Sequence, residues 1–320
     1  MTDRLGPGPA PGTAEAPTSA APGEGLRAGA VEREFTVEVR SQSRLVLTRF
    51  LRHRLAVASL IAFVGVIVLA FLGGALWHYE YFQITPDESA PPSWKHPFGT
   101  DSIGHDSFAQ VLRGTQRSIE IALLVALLST AAGTIWGSVA GYYRGLPDNV
   151  MMRISDLILT LPLIAVAAVL GQNAGGTWWL VALIIAALQW AYVSRVARSE
   201  VLSLREKEFI EAAKALGASD TRIIFRHLVP NALGTIIVNA TILVALAILL
   251  ETALSFLGFG VRAPDTSLGL LVNQAQTAVS TRPWLFYFPG LFIIVIALTI
   301  NFIGDGLRDA FDPKQTKVRE

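Results

Sequence analysis

Six predominantly apolar runs constrain the fold of this chain more than any other feature of its sequence. Each run is about twenty residues long, the length that a helix needs to cross about 30 Å of hydrocarbon. They cover residues 55–77, 118–142, 150–170, 178–196, 233–256 and 284–303. Inside a bilayer every backbone N–H and C=O must be paired within the protein, and a helix achieves this within its own segment. The sequence therefore predicts an all-α protein with six transmembrane helices.

Composition agrees with this class and excludes several others. The chain of 320 residues is 52% hydrophobic and 16% charged, which is too apolar for an ordinary soluble domain. The apolar composition makes membrane lipid the expected surroundings. A net charge of +1 without clustered basic and aromatic residues gives no indication of nucleic-acid binding. The chain contains no Cys, which excludes disulfides and Cys-based metal or redox chemistry.

The first part of the chain differs in composition from the rest. Residues 1–30 are rich in Pro, Gly, Ala and Ser, and such a segment buries too little apolar surface to offset its ordering entropy. It also lacks the apolar stretch of a cleaved signal peptide. We predict a disordered cytoplasmic tail over residues 1–43 and a transmembrane domain over residues 44–320.

Lys and Arg predict the orientation of the helices. Most of them lie in residues 44–54, in the turn after the second run, in residues 195–226 and after the last run. The connections on the other side of the membrane carry fewer Lys and Arg residues. Because loops rich in Lys and Arg stay in the cytoplasm, we expect both termini and the segment 205–231 to be cytoplasmic.

Segment 205–231 is the longest polar stretch between two apolar runs, and it predicts an elbow of two short helices. Phe209, Ala212, Ala213 and Leu216 follow helical spacing, and Gly217 comes where a helix ends most easily. Its narrow apolar face, backed by Ala, suits a groove on another protein. The alternative is an amphipathic hairpin on the membrane surface.

A second short helix is expected over residues 221–228 of this elbow. Ser219 or Asp220 can cap its start, and Pro230 should prevent it from continuing into the next run.

Several motifs, taken together and in order, resemble those of one transporter family. Residues 211–213 (EAA), Gly217 and the end HLVP at 227–230 resemble the EAA loop of ABC importer permeases. Residues 96–108 (HPFGTDSIGHDSF) are similar to a motif of the C-type subunit of dipeptide/oligopeptide permeases, with His105 in place of the usual Arg. Residues 113–118, 202–209, 254–260 and 304–313 also look like that subunit, so the resemblance runs from about residue 44 to 313.

This resemblance implies a six-helix type I ABC importer permease with a cytoplasmic coupling helix and a core over about residues 114–305. The expected partners are a second permease subunit, two ABC ATPase subunits and an extracytoplasmic peptide-binding protein, in the bacterial cytoplasmic membrane. No GxxxxGK[ST] pattern occurs in the chain, so ATP and Mg are expected on the ATPase subunits, with no cofactor on this chain and no catalytic residue. The residues implied in ATPase coupling are Phe209, Glu211, Ala212, Ala213, Leu216, Gly217, Asp220 and Pro230.

The cargo implied by the resemblance is an oligopeptide or dipeptide, with nickel or glutathione as alternatives. An ion-coupled secondary carrier is a second class, although the sequence shows neither the repeated halves nor the grouped midplane carboxylates that such carriers use. A third class of function is a membrane anchor for another complex.

Polar residues within the apolar runs are candidates for a transport pathway. Glu251 lies near the outer end of the fifth run, where it either lines the pathway or a gate, or fixes helix packing by a hydrogen bond. Gln189 and Asn239 are further pathway candidates. We interpret Arg153–Asp156 and Arg117–Glu120 as local structural pairs.

Three other sequence features concern packing and metal binding. Gly133, Gly137 and Gly141 form a small-residue face for close helix contact, and Pro162 should kink the third helix. His96, Asp101, His105 and Asp106 could bind a metal, but their spacing fits no zinc template, so no metal site is predicted.

Overall fold

The computed structural model describes residues 42–173 and 175–311, and these residues fold into a bundle of helices. The short helices are α1 (Gln42–Arg52), α7 (Glu208–Ala215) and α9 (Leu268–Ala275). The long ones are α2 (Arg54–Leu76), α3 (Ser107–Tyr143), α6 (Trp178–Arg205), α8 (Asp220–Phe256) and α10 (Trp284–Phe311). Helices α4 (Gly145–Thr160) and α5 (Leu163–Asn173) form a bent pair. The tail prediction for residues 1–43 lies outside the described residues, except that α1 begins at Gln42.

Five helices in the described ranges are long and apolar enough to cross a membrane, and the bent pair makes six if it counts as one span. This confirms the all-α transmembrane fold. The pair bends by 81°, because Leu161 precedes Pro162 and takes an extended conformation with ψ of 136°. The predicted kink at Pro162 is therefore a full break in the helix.

Helices α3 and α6 pack so closely that glycine is required between them. A Cβ atom at Gly137 would lie 2.2 Å from the carbonyl oxygen of Ser194, and one at Gly133 would lie 2.6 Å from that of Trp190. Gly141 follows the same line, 3.0 Å from the carbonyl oxygen of Arg198. The small-residue face predicted from the sequence is thus the contact between these two helices.

The alternating helices place the connections at two ends of the bundle. One end, which we call the elbow face, carries α7 and the ends of α3 and α6. The other end, which we call the loop face, carries residues 77–106 and 257–283. At the loop face Phe98 stacks on Phe288 with ring centroids 3.9 Å apart, so the long connection 77–106 is packed onto the start of α10.

Two of the spans contain a π-helical turn. In α2 the turn covers Leu69–Gly73, and the Gln116 side chain donates a hydrogen bond of 2.7 Å to the Ala70 carbonyl within it. In α8 it covers Ile223–Leu228, just before Pro230. The expected stop at Pro230 was wrong, because α8 continues through it to Phe256. Local π turns accommodate proline in membrane helices by re-pairing the backbone groups that its ring leaves free.

Candidate functional site

Helix α7 at the elbow face is the first element of the candidate site. It ends in a Schellman motif, in which Ala218 N–H binds the Ala213 carbonyl at 3.1 Å and Gly217 N–H binds the Lys214 carbonyl at 2.9 Å. Gly217 has a φ of +77°, a conformation that favours glycine. The glycine end of this helix, predicted from the sequence, is confirmed.

One face of α7 is anchored in a small apolar cluster of the bundle. Ile210 is fully buried in this cluster, which also contains Tyr142, Val201, Ile223, Ile224 and Leu228. Ala213 of the same helix is 8% exposed. The predicted apolar stripe is therefore divided, because Ala213 is buried while Phe209, Ala212 and Leu216 are exposed. Ile210, which the sequence stripe omitted, is its main anchor.

The outward face of α7 is apolar and exposed. Phe209 is 42% and Leu216 is 88% exposed, and Ala212 and Glu211 are exposed beside them. The structure thus presents a short apolar ridge that this chain does not cover within its described residues.

Polar contacts attach the elbow to the end of α3. Tyr142 donates a hydrogen bond of 2.6 Å from its hydroxyl to Asp220, the first residue of α8. Arg205 donates to the Tyr142 backbone carbonyl, and the Arg205 and Lys214 side chains lie over the Tyr142 ring at 5.8 and 5.6 Å. Asp220, which was expected to face a partner, is thereby also tied to α3. Sequence reasoning missed Tyr142, which lies 78 residues before Asp220.

The predicted helix cap at the second part of the elbow differs in detail. Ser219 is the N-cap of α8, but its side chain makes no capping hydrogen bond, and its backbone carbonyl accepts from Ile223 N–H at 2.9 Å. Pro230 is exposed within α8, two residues after the π-helical turn ends at Leu228.

Glu251 is fully buried among hydroxyl groups near the loop face. Its two carboxylate oxygens accept hydrogen bonds from Ser118 of α3 at 2.9 Å and from Ser255 at 2.7 Å. Ser255 also contacts the Ser267 hydroxyl at 3.2 Å, and Ser118 accepts from Leu268 N–H at 3.3 Å. This hydroxyl cage joins α3, α8 and α9, which favours the packing role of Glu251 over the pathway role.

Gln189 and Asn239 are both half-buried, on α6 and α8. Asn239 donates 2.8 Å to the Thr235 carbonyl, and its amide oxygen lies 3.5 Å from the hydroxyl of Tyr192, which is one turn beyond Gln189. The two helices thus share a partly exposed polar strip.

Local charge pairs are only partly those expected. Arg117 binds Glu120 at 2.6 Å, as predicted, and also binds Asp265 at 2.5 Å. The Arg153–Asp156 interpretation was wrong, because Asp156 instead binds Arg195 of α6 at 2.5 Å. A partner 39 residues away cannot be recognised from helical spacing.

The motif at residues 96–108 folds the connection at the loop face. The buried His96 ring is within 2.6 Å of Asp106 and 3.2 Å of Asp87, and His105 lies 2.8 Å from Asp101. The Lys95 ammonium and then His96 lower the pKa of Asp87 by hydrogen bonding to its carboxylate. No group of three or more metal-ligating side chains occurs in the described part of the chain.

Taken together, these features define a polytopic membrane protein with a rigid helical elbow and an ordered connection at the opposite face. Residues 133–317 match the model of the binding-protein-dependent transport system inner membrane component, and residues 41–92 match that of the N-terminal transmembrane domain of oligopeptide transport permease C. The chain belongs to the family of binding-protein-dependent transport system inner membrane components.

Curated relatives and solved structures agree with this membership. The chain is 42% identical to the oligopeptide transport system permease protein OppC of Mycobacterium tuberculosis, over 88% of this chain and 98% of that protein. It is 36% identical to OppC of Bacillus subtilis, over 85% of this chain and 89% of that protein. A structure of the inward-facing MetNI methionine ABC transporter matches its fold with a TM-score of 0.52 at 18% identity, covering 63% of this chain and 97% of that one.

Proposed function

We propose that this chain is one of two membrane-spanning subunits of an ATP-driven importer of peptides in the bacterial cytoplasmic membrane. The relatives named oligopeptide permeases support the cargo. The exposed apolar ridge of α7, held firmly at its inner face, is the observation that carries the mechanism.

In this mechanism an ABC ATPase subunit receives the ridge of Phe209, Ala212 and Leu216 in a groove, with Glu211 at its rim. Closure of two ATPase subunits around ATP and Mg moves α7. Because Tyr142 and the apolar cluster join α7 to α3, α6 and α8, these helices move with it. Gly217 keeps the turn after α7 compact, and Pro230 lies just beyond the π turn through which α8 leaves the elbow.

The remaining assembly follows from this mechanism. The elbow face lies in the cytoplasm with both termini, and the loop face meets an extracytoplasmic peptide-binding protein. A second permease subunit completes the pathway, to which Gln189 and Asn239 contribute the partly exposed polar strip. Glu251 holds the helices around it in place.

Single-cysteine crosslinking tests the coupling site, because the natural chain contains no Cys. We expect Ala212→Cys, on the exposed ridge, to capture an ATPase subunit in native membranes through a short thiol-reactive linker. The neighbouring Ala213→Cys is the matched control and should not capture it, because Ala213 is buried. Equal capture by both variants, or none by Ala212→Cys, would contradict the proposal.

Function is tested with Glu211→Arg in the reconstituted transporter. We expect peptide uptake per ATP hydrolysed to fall at least tenfold while membrane insertion is unchanged. Normal uptake by this variant counts against the assigned role of the elbow.

A further inference from the structure

A cavity at the loop face is not explained by the coupling mechanism. It lies between the connection 77–106, the first turns of α3, helix α9 and the start of α10, and its volume is about 450 Å³. This is within the range of small-molecule sites, which span about 300–1,000 Å³. Phe82, Trp284 and Phe288 contribute aromatic surface to its wall.

Two buried hydroxyl groups belong to this wall and have no partner. Ser107, the first residue of α3, is 5% exposed, and Thr266, just before α9, is 7% exposed. Neither hydroxyl oxygen makes a hydrogen bond to any described residue. Because a buried polar group without a partner costs about 1–3 kcal/mol, such groups in a cavity wall indicate a ligand that pairs with them.

Two carboxylates and one guanidinium line this cavity, and the two carboxylates already have partners. Asp265 is already paired with two arginines of α3. Asp101 accepts from two backbone N–H groups and lies against His105. Arg282 donates 2.7 Å to the Ser89 hydroxyl, and no carboxylate of a described residue lies within 4.0 Å of its guanidinium. The Arg282 guanidinium is therefore the group of this wall that an anionic group of a ligand would pair with.

We propose that this cavity binds the carboxyl-terminal end of a short apolar peptide. Arg282 pairs with the terminal carboxylate, Ser107 and Thr266 bond to peptide amide groups, and the aromatic wall receives the side chains. This rests on the proposed function, since the cavity would then be a receiving site where the binding protein releases its cargo. The low exposure of the two hydroxyl-bearing residues favours a small ligand over a loop of the binding protein.

The experiment measures binding of the radiolabelled tripeptide Phe-Ala-Phe and its carboxamide to the complete transporter in nanodiscs, without the binding protein and without ATP. We expect the free acid to bind at least tenfold more tightly than the amide. Arg282→Gln should weaken binding of the acid about tenfold and leave binding of the amide unchanged, so that the two affinities converge. Thr266→Val, which keeps the side-chain shape, should weaken both peptides.

The matched control is Arg262→Gln, which removes an exposed cation from the same connection without touching the cavity wall. It should bind both peptides as the natural protein does. Equal binding of acid and amide by the natural protein, or an unchanged preference in Arg282→Gln, overturns the proposal. The same holds if Arg282→Gln weakens only association of the binding protein.

Uptake assays separate this inference from the proposed function. A transporter that imports peptides normally but binds acid and amide equally lacks only the cavity site. A transporter that imports no peptide at all contradicts the proposed function itself.

Discussion

Replacement of Glu251, a fully buried carboxylate of α8, distinguishes a packing role from a pathway role for this residue. Glu251→Ala removes the hydrogen bonds from Ser118 and Ser255 and leaves a void between α3, α8 and α9. A side-chain hydrogen bond between membrane helices is worth about 0.6 kcal/mol. If the bond from Ser255 within α8 contributes a similar amount, the two bonds account for about 1 kcal/mol. The void from truncating a buried side chain adds about 2 kcal/mol or more.

We therefore expect Glu251→Ala to lose about 3 kcal/mol of stability, which corresponds to a fall in Tm on the order of 10 °C. Glu251→Gln keeps the shape, and its amide can accept from one serine hydroxyl and donate to the other. We expect it to lose less than about 1 kcal/mol and to transport normally.

The assay combines thermal unfolding of the purified transporter in detergent with peptide uptake in proteoliposomes. A loss of uptake in Glu251→Gln with an unchanged Tm would refute the packing role, because only the carboxylate charge would then have been changed. A wild-type Tm for Glu251→Ala would refute the estimate of its contribution to stability.

Two further predictions concern helix packing and the loop-face connection. Gly137→Leu should lower the Tm sharply, because its Cβ alone would lie 2.2 Å from a carbonyl oxygen of α6. The control Gly65→Leu, whose Cβ would have no atom within 4 Å, should leave the Tm unchanged. Equal shifts of Tm in the two variants would contradict the close packing of α3 on α6. Because the pKa of Asp87 is lowered from 3.8, its stabilisation of the connection is present above pH 3.8 and is lost as the pH falls through the lower folded pKa. Hydrogen exchange of residues 77–106 should therefore increase below that pH at low salt, less so in Asp87→Asn, and identical profiles would show that Asp87 has no such effect.

Apolar periodicity predicted the existence of the spans but not where the helices end. The second run was expected over residues 118–142, whereas α3 begins at Ser107. Asp106 caps its first turn by accepting a hydrogen bond from Ala109 N–H at 2.7 Å. Asp265 then forms ion pairs with Arg113 and Arg117 of the next turns. Hydropathy reports only the part of a helix that lies in hydrocarbon, so this capped polar extension was not visible.

The elbow shows the same division between local and tertiary information. Gly217 was recognisable because a left-handed helix end favours glycine whatever surrounds it. The buried face of α7 was not, since Ile210 and Ala213 acquire their inward orientation only from the helices behind them. Tyr142 and Arg195 likewise act on residues far along the chain, and no local pattern marks such contacts.

The continuity of α8 through Pro230 has a geometric consequence. This helix has 37 residues and is therefore about 55 Å long. A tilt of about 10° around its midpoint would displace each end by about 5 Å, in opposite directions. A displacement at the elbow end of this helix would therefore produce an opposite displacement near Glu251 and its serine partners at the other end. The 81° break between α4 and α5 prevents that pair from acting as one lever of comparable length.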